Sequence, residues 1–467
     1  MRSCPEKTPL DRNTRLSRLR DGPVADQPRR VGFNARGNEV RMNGDPATPA
    51  RLTIGVPREI VPGENRVSLI PDTVAKLIAA GPAVIVERGA GQGSFIGDDA
   101  YATAGATLVP DAASVYEQAD LILKVHRPTA GNSSGPNEID LLRRGSMLVA
   151  FLAPLNEPQL VKELADRGVT AFSMDAIPRI TRAQSMDALS AMSTIAGYKA
   201  VVLAADHLPK FFPLLMTAAG TIAPAKALIV GAGVAGLQAI ATARRLGAVV
   251  EAYDTRPVVK EQVESLGATF VDIDTGATDA QDAGGYARQV SAETLARQAA
   301  VLAERAARAD FVITTALVPG KPAPRLITAE TVRQMRPGSV IVDLAAEAGG
   351  NCELTRPGEV VVEHGVTILG PLNLPSTMPV HASQMYAKNV QNLLALLIKD
   401  GQLAPDFDDD VVSGTCVCRD GNVTHGPTRA TLGLETAPPE PPPTLAPASE
   451  PAPATADAAP GPVAATD

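Results

Sequence analysis

The chain has 467 residues, of which 45% are hydrophobic, so it can form two or three folded domains, and a wholly disordered chain is excluded. A formal net charge of −8 and an aromatic content of 3%, with no tryptophan, argue against nucleic-acid binding through phosphate contacts and base stacking. The four cysteines lack the spacing of a zinc site or a disulfide framework, which favours a reducing, cytoplasmic compartment and predicts no bound metal.

Both ends of the chain differ in composition from its centre. Residues 1–50 are polar and rich in arginine, without hydrophobic periodicity, and residues 435–467 are mostly Ala, Pro, Thr, Glu and Asp. Neither composition can bury a core, so we expect a disordered extension and a disordered tail. No direct membrane span is expected, because glycines and Gln238 interrupt the most apolar run, 227–243.

Strands and helices alternate between these ends. The first half predicts strands over 52–56, 83–87, 121–125, 147–152 and 169–174, and helices over 71–80 and 160–167. A long helix over 185–207 leads to the second half, which predicts strands over 227–230, 249–253, 270–273, 311–315, 340–344 and 367–369, and a last long helix over 380–399.

This alternation is typical of parallel sheets that are covered by helices on both faces. We therefore predict an α/β fold with two Rossmann-like, doubly wound parallel-sheet domains and a cleft between them. The first domain takes residues 51–190 and also about 377–434, since the last long helix is well placed to pack back against the first sheet. The second domain takes residues 191–376.

A glycine-rich turn stands between a strand and a helix of the second domain. Gly231, Gly233 and Gly236 form a G-x-G-x-x-G pattern, and Asp254 ends the next strand. Main-chain amides at such a helix start can bind a pyrophosphate, and the acid can accept hydrogen bonds from an adenosine ribose. The acid favours NAD over NADP, although Arg256 points the other way. The alternative is a glycine turn needed only for packing.

The segment 179–187 concentrates polar side chains where the two domains meet. Arg179 could bind a pyrophosphate or a carboxamide oxygen, Gln184 could bind a carboxamide or a ribose, and Asp187 could orient either ligand. The alternative is helix capping by Ser185 or Asp187. The residues alone leave both interpretations open.

Two loops of the second domain have similar alternatives. The segment 316–321 follows a strand and either borders the adenosine or is a plain turn. The segment 279–286 contains two glycines and ends at Tyr286, so it could cover a ligand or form an exposed turn.

Several stretches resemble the NAD(H)-binding component of proton-translocating NAD(P) transhydrogenase. The resemblance runs from about residue 52 to 434. The chain is similar to the soluble alpha component of the form of this enzyme in which separate chains carry the membrane helices. The stretches that carry it are 178–190, 231–236, 315–324, 343–352, 373–389 and 412–420.

The resemblance implies that NAD(H) binds in the cleft between the two domains. It also implies a catalytic set around the nicotinamide, namely Arg179, Gln184, Asp187, Ser190 and Tyr286. The further nucleotide-binding residues that it implies are Ile180, Thr181, Arg182, Gly231, Gly233, Val234, Gly236, Asp254, Thr255, Arg256, Gly285, Gln298 and Leu317.

The activity that the resemblance implies is direct hydride transfer between NADH on this chain and NADP⁺ on a beta subunit, coupled to proton translocation by membrane partners. The implied partners are that NADP(H)-binding beta subunit, a short membrane-spanning alpha subunit and a second copy of this chain in a homodimer. The implied location is cytoplasmic, peripheral to the inner face of the cytoplasmic membrane.

Two other functions remain open. Alanine dehydrogenase, of the same superfamily, needs a substrate-binding lysine and an acid/base histidine, yet His126 and Ala153 stand at the corresponding positions. Arg66 remains, but an arginine without its acid/base partner cannot complete oxidative deamination. The third possibility is a non-catalytic NAD sensor.

Overall fold

The computed structural model describes residues 51–129, 137–273 and 292–434, and also two short strands that precede them. Those strands, β1 (Gly32–Phe33) and β2 (Glu39–Val40), pair antiparallel within the first compact unit, Met1–Ala50. The second unit, Arg51–Asp467, contains both large sheets.

Within the described residues, the first sheet has eight strands in the order β21-β20-β8-β7-β6-β3-β4-β5. Its strands are β3 (Thr53–Val56), β4 (Ala83–Glu87), β5 (Thr107–Val109), β6 (Leu121–Leu123), β7 (Met147–Ala150), β8 (Thr170–Ser173), β20 (Cys416–Arg419) and β21 (Asn422–Val423). The strands β3 to β8 pair in parallel, and β20 is antiparallel to both of its neighbours.

Helices connect the parallel strands of this sheet. They are α1 (Pro71–Ala79), α2 (Asp98–Thr103), α3 (Ala112–Gln118), α4 (Glu138–Leu141) and α5 (Pro158–Asp166). Proline begins α1 and α5, where its missing N–H costs no helical hydrogen bond. All three residues of β6 are buried, as expected for a central strand that is covered on both faces.

The second sheet has seven strands among the described residues, in the order β13-β12-β11-β14-β15-β17-β16. Its strands are β11 (Lys226–Val230), β12 (Val249–Tyr253), β13 (Thr269–Phe270), β14 (Phe311–Thr314), β15 (Val340–Asp343), β16 (Val360–Glu363) and β17 (Val366–Leu369). Its helices are α7 (Val234–Arg245), α8 (Lys260–Ser265), α9 (Ala292–Arg308) and α10 (Ala329–Gln334).

The parallel strands of both sheets follow one plan. Numbered by their order in the chain, the six parallel strands lie 3-2-1-4-5-6 across each sheet, which is the Rossmann order. The antiparallel strands, β16 in one sheet and β20 and β21 in the other, lie beyond the sixth strand. The predicted fold class is therefore confirmed.

The long helix between the sheets, α6 (Ala188–His207), begins later than expected. The sequence predicts a start at Ser185, but residues Thr181–Met186 form a 3₁₀ helix and Asp187 caps α6. The predicted start is wrong because Asp187, not Ser185, accepts the main-chain N–H of Ser190, at 2.9 Å.

Both cores contain residues of α6. Ala191 and Ile195 lie in the core of the first sheet, and Val201 and Ala204 lie in the core of the second. Among the described residues, α6 alone is long and apolar enough to cross a membrane. One such helix is weak evidence for a membrane span, because core helices of soluble proteins also meet this criterion. At Gly197, α6 packs so closely on α7 that an added Cβ would lie 2.1 Å from the carbonyl oxygen of Ala235.

The chain returns to the first sheet after β17. The helix α11 (Pro379–Leu397) buries Tyr386, Val390 and Leu393 in the core of the first sheet. The remaining elements of this return are β18 (Ile398–Lys399), β19 (Gln402–Leu403), α12 (Asp410–Thr415) and α13 (Gly426–Thr431). An exposed hairpin of β9 (Leu215–Thr217) and β10 (Gly220–Ile222) follows α6.

Candidate functional site

The glycine turn combines tight packing with open space. Gly231 has φ +100°, and an added Cβ on Gly236 would lie 1.8 Å from the carbonyl oxygen of Gly231. These two glycines are therefore required by the local backbone itself. An added Cβ on Gly233, at the start of α7, would meet nothing within 4 Å. The space beside Gly233 and the main-chain amides of the first helical turn fit a pyrophosphate group.

Asp254 lies directly beside this turn. Its Oδ2 accepts the main-chain N–H of Ala232 at 2.7 Å, and its Oδ1 accepts that of Arg256 at 2.9 Å. The Arg256 guanidinium adds hydrogen bonds from Nε and Nη2, each at 3.0 Å. The acid that the sequence predicts for the ribose therefore also holds the glycine turn and Arg256, and Thr255 between them is half-buried.

Two elements of the second sheet and its helices carry buried polar atoms without a partner among the described residues. The Nε2 of Gln298, on α9, and the hydroxyl of Tyr253, at the end of β12, have no hydrogen-bond partner within the described ranges. Such atoms are costly unless a ligand or another group satisfies them. Val234 and Leu317 leave large apolar side chains partly exposed, at 43% and 46%. Gly285 and Tyr286 lie outside the described residues.

The loop after β14 is held by a residue that the sequence motifs did not single out. Asn351 is fully buried, and its Oδ1 accepts the main-chain N–H of Ala316 at 3.0 Å. Its Nδ2 donates to the carbonyl oxygens of Ala316 and Pro324, at 2.8 and 2.9 Å. This loop approaches the segment that follows β7 of the first sheet, because an added Cβ on Gly320 would lie 3.1 Å from Cβ of Leu155. Asn351 falls within one of the stretches that carry the resemblance, which was the available signal.

The segment 179–187 is polar and contains the 3₁₀ helix Thr181–Met186. Arg179, Ile180, Thr181 and Gln184 are exposed. Asp187 caps α6, and its Oδ2 also accepts the Ser190 hydroxyl, at 2.6 Å. Capping and a polar surface thus coexist here.

Arg182 is directed to the C-terminal return. Its guanidinium donates from Nη1 and Nη2 to the two carboxylate oxygens of Asp409, at 2.8 and 3.0 Å. This pair, together with the caps that Asp409 makes on α12, lowers the pKa of Asp409 to about 2. Arg182, which is predicted to bind nucleotide, thus has a protein partner, and both Arg182 and Gln184 are exposed.

The helix α6 connects the two groups of predicted site residues. Its N-terminus carries Asp187 and Ser190, and its middle, at Gly197, packs on the first turn of α7 beside Ala235. Ten residues of α-helix separate Asp187 from Gly197, which is about 15 Å along the axis.

The positions that an amino-acid dehydrogenase needs have different properties here. Ala153 has φ +48°, and its main-chain N–H donates to Asp175 Oδ2 at 2.7 Å. Its methyl group can neither donate nor accept a proton. Burial lowers the pKa of His126, so at neutral pH this side chain is not the cation that a substrate carboxylate requires.

A polar cavity of about 210 Å³ lies at the end of β3 and β4. Its buried Arg66 donates to the Glu64 carboxylate at 2.7 and 2.6 Å and to Asn373 Oδ1 at 3.0 Å. Burial opposes ionisation of Glu64, but Arg66 and Asn373 outweigh burial and lower the pKa of that carboxyl. The residues that line the cavity are Arg58, Glu59, Glu64, Asn65, Arg66, Gly89, Ala90, Gln92 and Gly93.

A buried ion cluster adjoins this cavity. Lys124 Nζ donates to Glu138 Oε1 at 2.6 Å and to Glu59 Oε2 at 3.0 Å, and all three side chains are almost completely buried. Burial disfavours the ammonium, but the two glutamates outweigh burial and raise the pKa of Lys124. Burial also raises the pKa of Glu59. Over residues 51–129, 137–273 and 292–434, no group of three His, Cys, Asp or Glu residues could hold a metal ion.

Comparison with known proteins covers the whole central region of the chain. The family model for the alanine dehydrogenase/PNT N-terminal domain matches residues 55–196, and the model for the C-terminal domain matches residues 200–426. The chain is 50% identical over 377 residues to an alpha-subunit chain of NAD(P) transhydrogenase from Rhodospirillum rubrum, covering 80% of this chain and 98% of that protein.

Two further relatives represent the two branches of these models. The crystal structure of transhydrogenase from Sinorhizobium meliloti is similar with a TM-score of 0.71 and 44% identity, covering 79% of this chain and 99% of that one. Alanine dehydrogenase of Bacillus subtilis is 32% identical over 400 residues, covering 83% of this chain and 97% of that enzyme.

Proposed function

The chain belongs to the alanine dehydrogenase/PNT family, and on that basis we propose that it is the NAD(H)-binding alpha subunit of a proton-translocating NAD(P) transhydrogenase. One observation carries the proposal: the cleft combines an open glycine turn with Ala153 at the position where a dehydrogenase of this family needs an acid/base. The greater identity to a transhydrogenase subunit, 50% against 32% for alanine dehydrogenase, supports the same choice.

The proposed reaction needs no proton donor. A hydride, with its electron pair, leaves C4 of the NADH nicotinamide and bonds to C4 of the NADP⁺ nicotinamide, so one nucleotide is oxidised and the other is reduced. The protein must bring the two rings together, and such placement can supply about 7–11 kcal/mol of the barrier. This account explains why the proposed site contains Arg, Gln, Asp and Ser without a catalytic histidine, and why alanine is tolerated at position 153.

The nicotinamide side is assigned to the segment before α6. We infer that Arg179 anchors the nucleotide, that Gln184 and Asp187 set the orientation of the ring, and that Ser190 and Tyr286 complete the surroundings. The Asp187–Ser190 hydrogen bonds support this assignment, because a carboxylate that caps α6 has a fixed position.

We infer that the adenosine side of this chain binds NAD(H) and that the beta subunit binds NADP(H). Asp254 lies beside the glycine turn, and its negative charge disfavours a 2′-phosphate. Arg256 could bind such a phosphate, but it donates two side-chain hydrogen bonds to Asp254. Gln298 supports the same site, because its buried Nε2 lacks a partner among the residues that the structure describes.

The proposed partners are the NADP(H)-binding beta subunit, a short membrane-spanning alpha subunit and a second copy of this chain. We infer that proton translocation takes place in the membrane partners and that this chain lies at the cytoplasmic face of the membrane. The apolar helix α6 supports this division of labour, since its residues are used in the cores of both sheets.

A reconstituted reaction tests the proposal against both alternatives. The full chain is mixed with the purified beta subunit and NADPH, and reduction of an NAD analogue is followed by its distinct absorbance. We expect transfer only when both proteins are present. Turnover of alanine and NAD⁺ by the chain alone would indicate an amino-acid dehydrogenase, and NADH binding without any transfer would indicate a sensor.

Two conservative variants test the residue assignments in the same assay. Asp187→Asn keeps a helix cap and Gln184→Asn keeps an amide, so both chains should fold. We expect each to slow hydride transfer about tenfold or more and to weaken NADH binding much less, because misplacement of the reacting atoms lowers rate before affinity. A variant that loses affinity but transfers normally once saturated would contradict these roles.

A further inference from the structure

The 3₁₀ helix before α6 distributes its residues over three faces. In a 3₁₀ helix, side chains three positions apart lie above one another. Ala183 and Met186 share one face and are buried in the core of the first sheet. Thr181 and Gln184 share the second face, and Arg182 and Ser185 share the third.

The third face is held by the C-terminal return. Arg182 makes its two-pronged ion pair with Asp409, which also caps α12 through the main-chain N–H groups of Val411 and Val412. The ion pair therefore joins the segment to the start of α12.

A second attachment comes from α11, where two amides bind one carbonyl oxygen of the segment. The Nδ2 atoms of Asn389 and Asn392 donate to the main-chain oxygen of Ser185, at 2.9 and 2.8 Å. Asn389 is 8% exposed, so its hydrogen bond is shielded from water. Core packing, an ion pair and two amide hydrogen bonds therefore hold two of the three faces, while the exposed face with Thr181 and Gln184 makes no side-chain hydrogen bond of this kind to the described residues.

We propose that Asp409, Asn389 and Asn392 are positioning residues that hold the segment 179–187 in the orientation hydride transfer requires. Arg182 then acts through Asp409 and does not bind the nucleotide. The proposal rests on the proposed function, since it assigns Gln184 to the nicotinamide side. An exposed ion pair adds little to overall stability, so the main effect of losing it is on the geometry of the segment.

Six full-length variants test this clamp with the purified beta subunit, NADH and NADP⁺. Asp409→Asn keeps an oxygen for the α12 cap and removes the charge, Arg182→Gln removes the other partner, and a third chain carries both changes. Arg333→Gln is the control, because it removes an exposed ion pair with Glu330 on α10 of the second domain. Asn392→Ala, as a further chain, tests the amide attachment by itself.

We expect Asp409→Asn and Arg182→Gln each to lower the single-turnover transfer rate about tenfold, and the double variant to be no slower than either. NADH affinity should stay within about twofold, because the adenosine contacts lie elsewhere, and the control should match the wild type. Amide hydrogen exchange over 179–187 should become faster in Asp409→Asn and Asn392→Ala, and Arg182→Lys should recover part of the rate.

Three results would overturn the proposal. The first is an unchanged rate in Asp409→Asn with normal wild-type transfer, and the second is an additive loss in the double variant. The third is a fall in NADH affinity as large as the fall in rate, which would make Arg182 a ligand residue. If the wild-type chain binds NADH but transfers no hydride, the proposed function fails first, and the exchange data still report whether the clamp exists.

Discussion

The two sheets share one strand order but differ at the edge where their parallel strands end. In the second sheet, the turn after β11 leaves open space beside Gly233. In the first sheet, side chains that follow β3 and β6 bind one another, as in the cluster of Lys124, Glu59 and Glu138. A Rossmann strand order therefore does not by itself create a binding edge, because the polar groups at that edge must also be available to a ligand.

The largest expected effect comes from breaking the buried ion cluster of Lys124, Glu59 and Glu138 at the edge of the first sheet. Lys124→Met should lower the free energy of unfolding by about 3–5 kcal/mol, because it leaves two buried carboxylates without their ammonium partner. Urea unfolding measures this loss. The control is Lys162→Met, which removes an exposed pair with Asp166 and should change stability by about 0.5 kcal/mol or less.

The pH dependence of Lys124→Met gives a second test. Burial already raises the pKa of Glu59, and loss of the ammonium increases that shift. The folded state then keeps a proton that the unfolded state releases as the pH rises, so stability falls with rising pH. The deficit should be larger at about pH 8 than at about pH 5, and equal deficits at both values would argue against a buried charge as its cause.

The next effect tests the open space beside Gly233 at the edge of the second sheet. Gly233 has φ −74°, which alanine also adopts, and an added Cβ meets no chain atom within 4 Å. Gly233→Ala should therefore leave the melting temperature unchanged, yet weaken NADH binding by about 10- to 100-fold because the methyl group occupies the approach of a pyrophosphate. Calorimetric titration and thermal unfolding of the same samples separate the two quantities.

The matched control for Gly233→Ala is Gly236→Ala. Its added Cβ would lie 1.8 Å from the carbonyl oxygen of Gly231, so this variant should lose stability as well as binding. If Gly233→Ala bound NADH as tightly as the wild type, the space beside Gly233 would not be the pyrophosphate site.

The smallest expected effect concerns the backbone of the first sheet's edge. Ala153 is left-handed, at φ +48°, and a non-glycine residue there costs about 1–2 kcal/mol. Ala153→Gly removes that cost but adds chain entropy, so we expect a gain of about 0.5 kcal/mol in urea unfolding. Ala80→Gly, at φ −84°, should not stabilise the chain, and equal effects of the two changes would refute the strain.

Much of the fold follows from short-range patterns. The parallel strands are continuous apolar runs bounded by turns, so the bounds predicted for β4 and β12 agree with those observed. The strands β16 and β20 were not predicted, and both pair antiparallel beyond the sixth parallel strand of their sheets. Pairing at an edge depends on which strand lies beside it, and a local pattern does not contain that information.

The site was predictable where its chemistry is local. The glycine turn and Asp254 are close in sequence and required by backbone geometry, so their proximity could be expected. The partners of Lys124 and Arg182 could not, because Glu59 and Asp409 reach them only through the tertiary fold. The predicted start of α6 was wrong because it too depends on the tertiary fold, where α11 donates two hydrogen bonds to the carbonyl oxygen of Ser185 in the 3₁₀ helix.

The passage of α6 through both cores has a consequence for how the protein comes apart. Ile195 packs in the first core and Val201 in the second, and both are on the one continuous helix α6. If one core unfolded, the other would keep α6 helical, and the apolar side chains of α6 that had packed in the lost core would be exposed to water. The two halves should therefore melt together, and a scanning calorimeter should record a single cooperative heat-absorption peak.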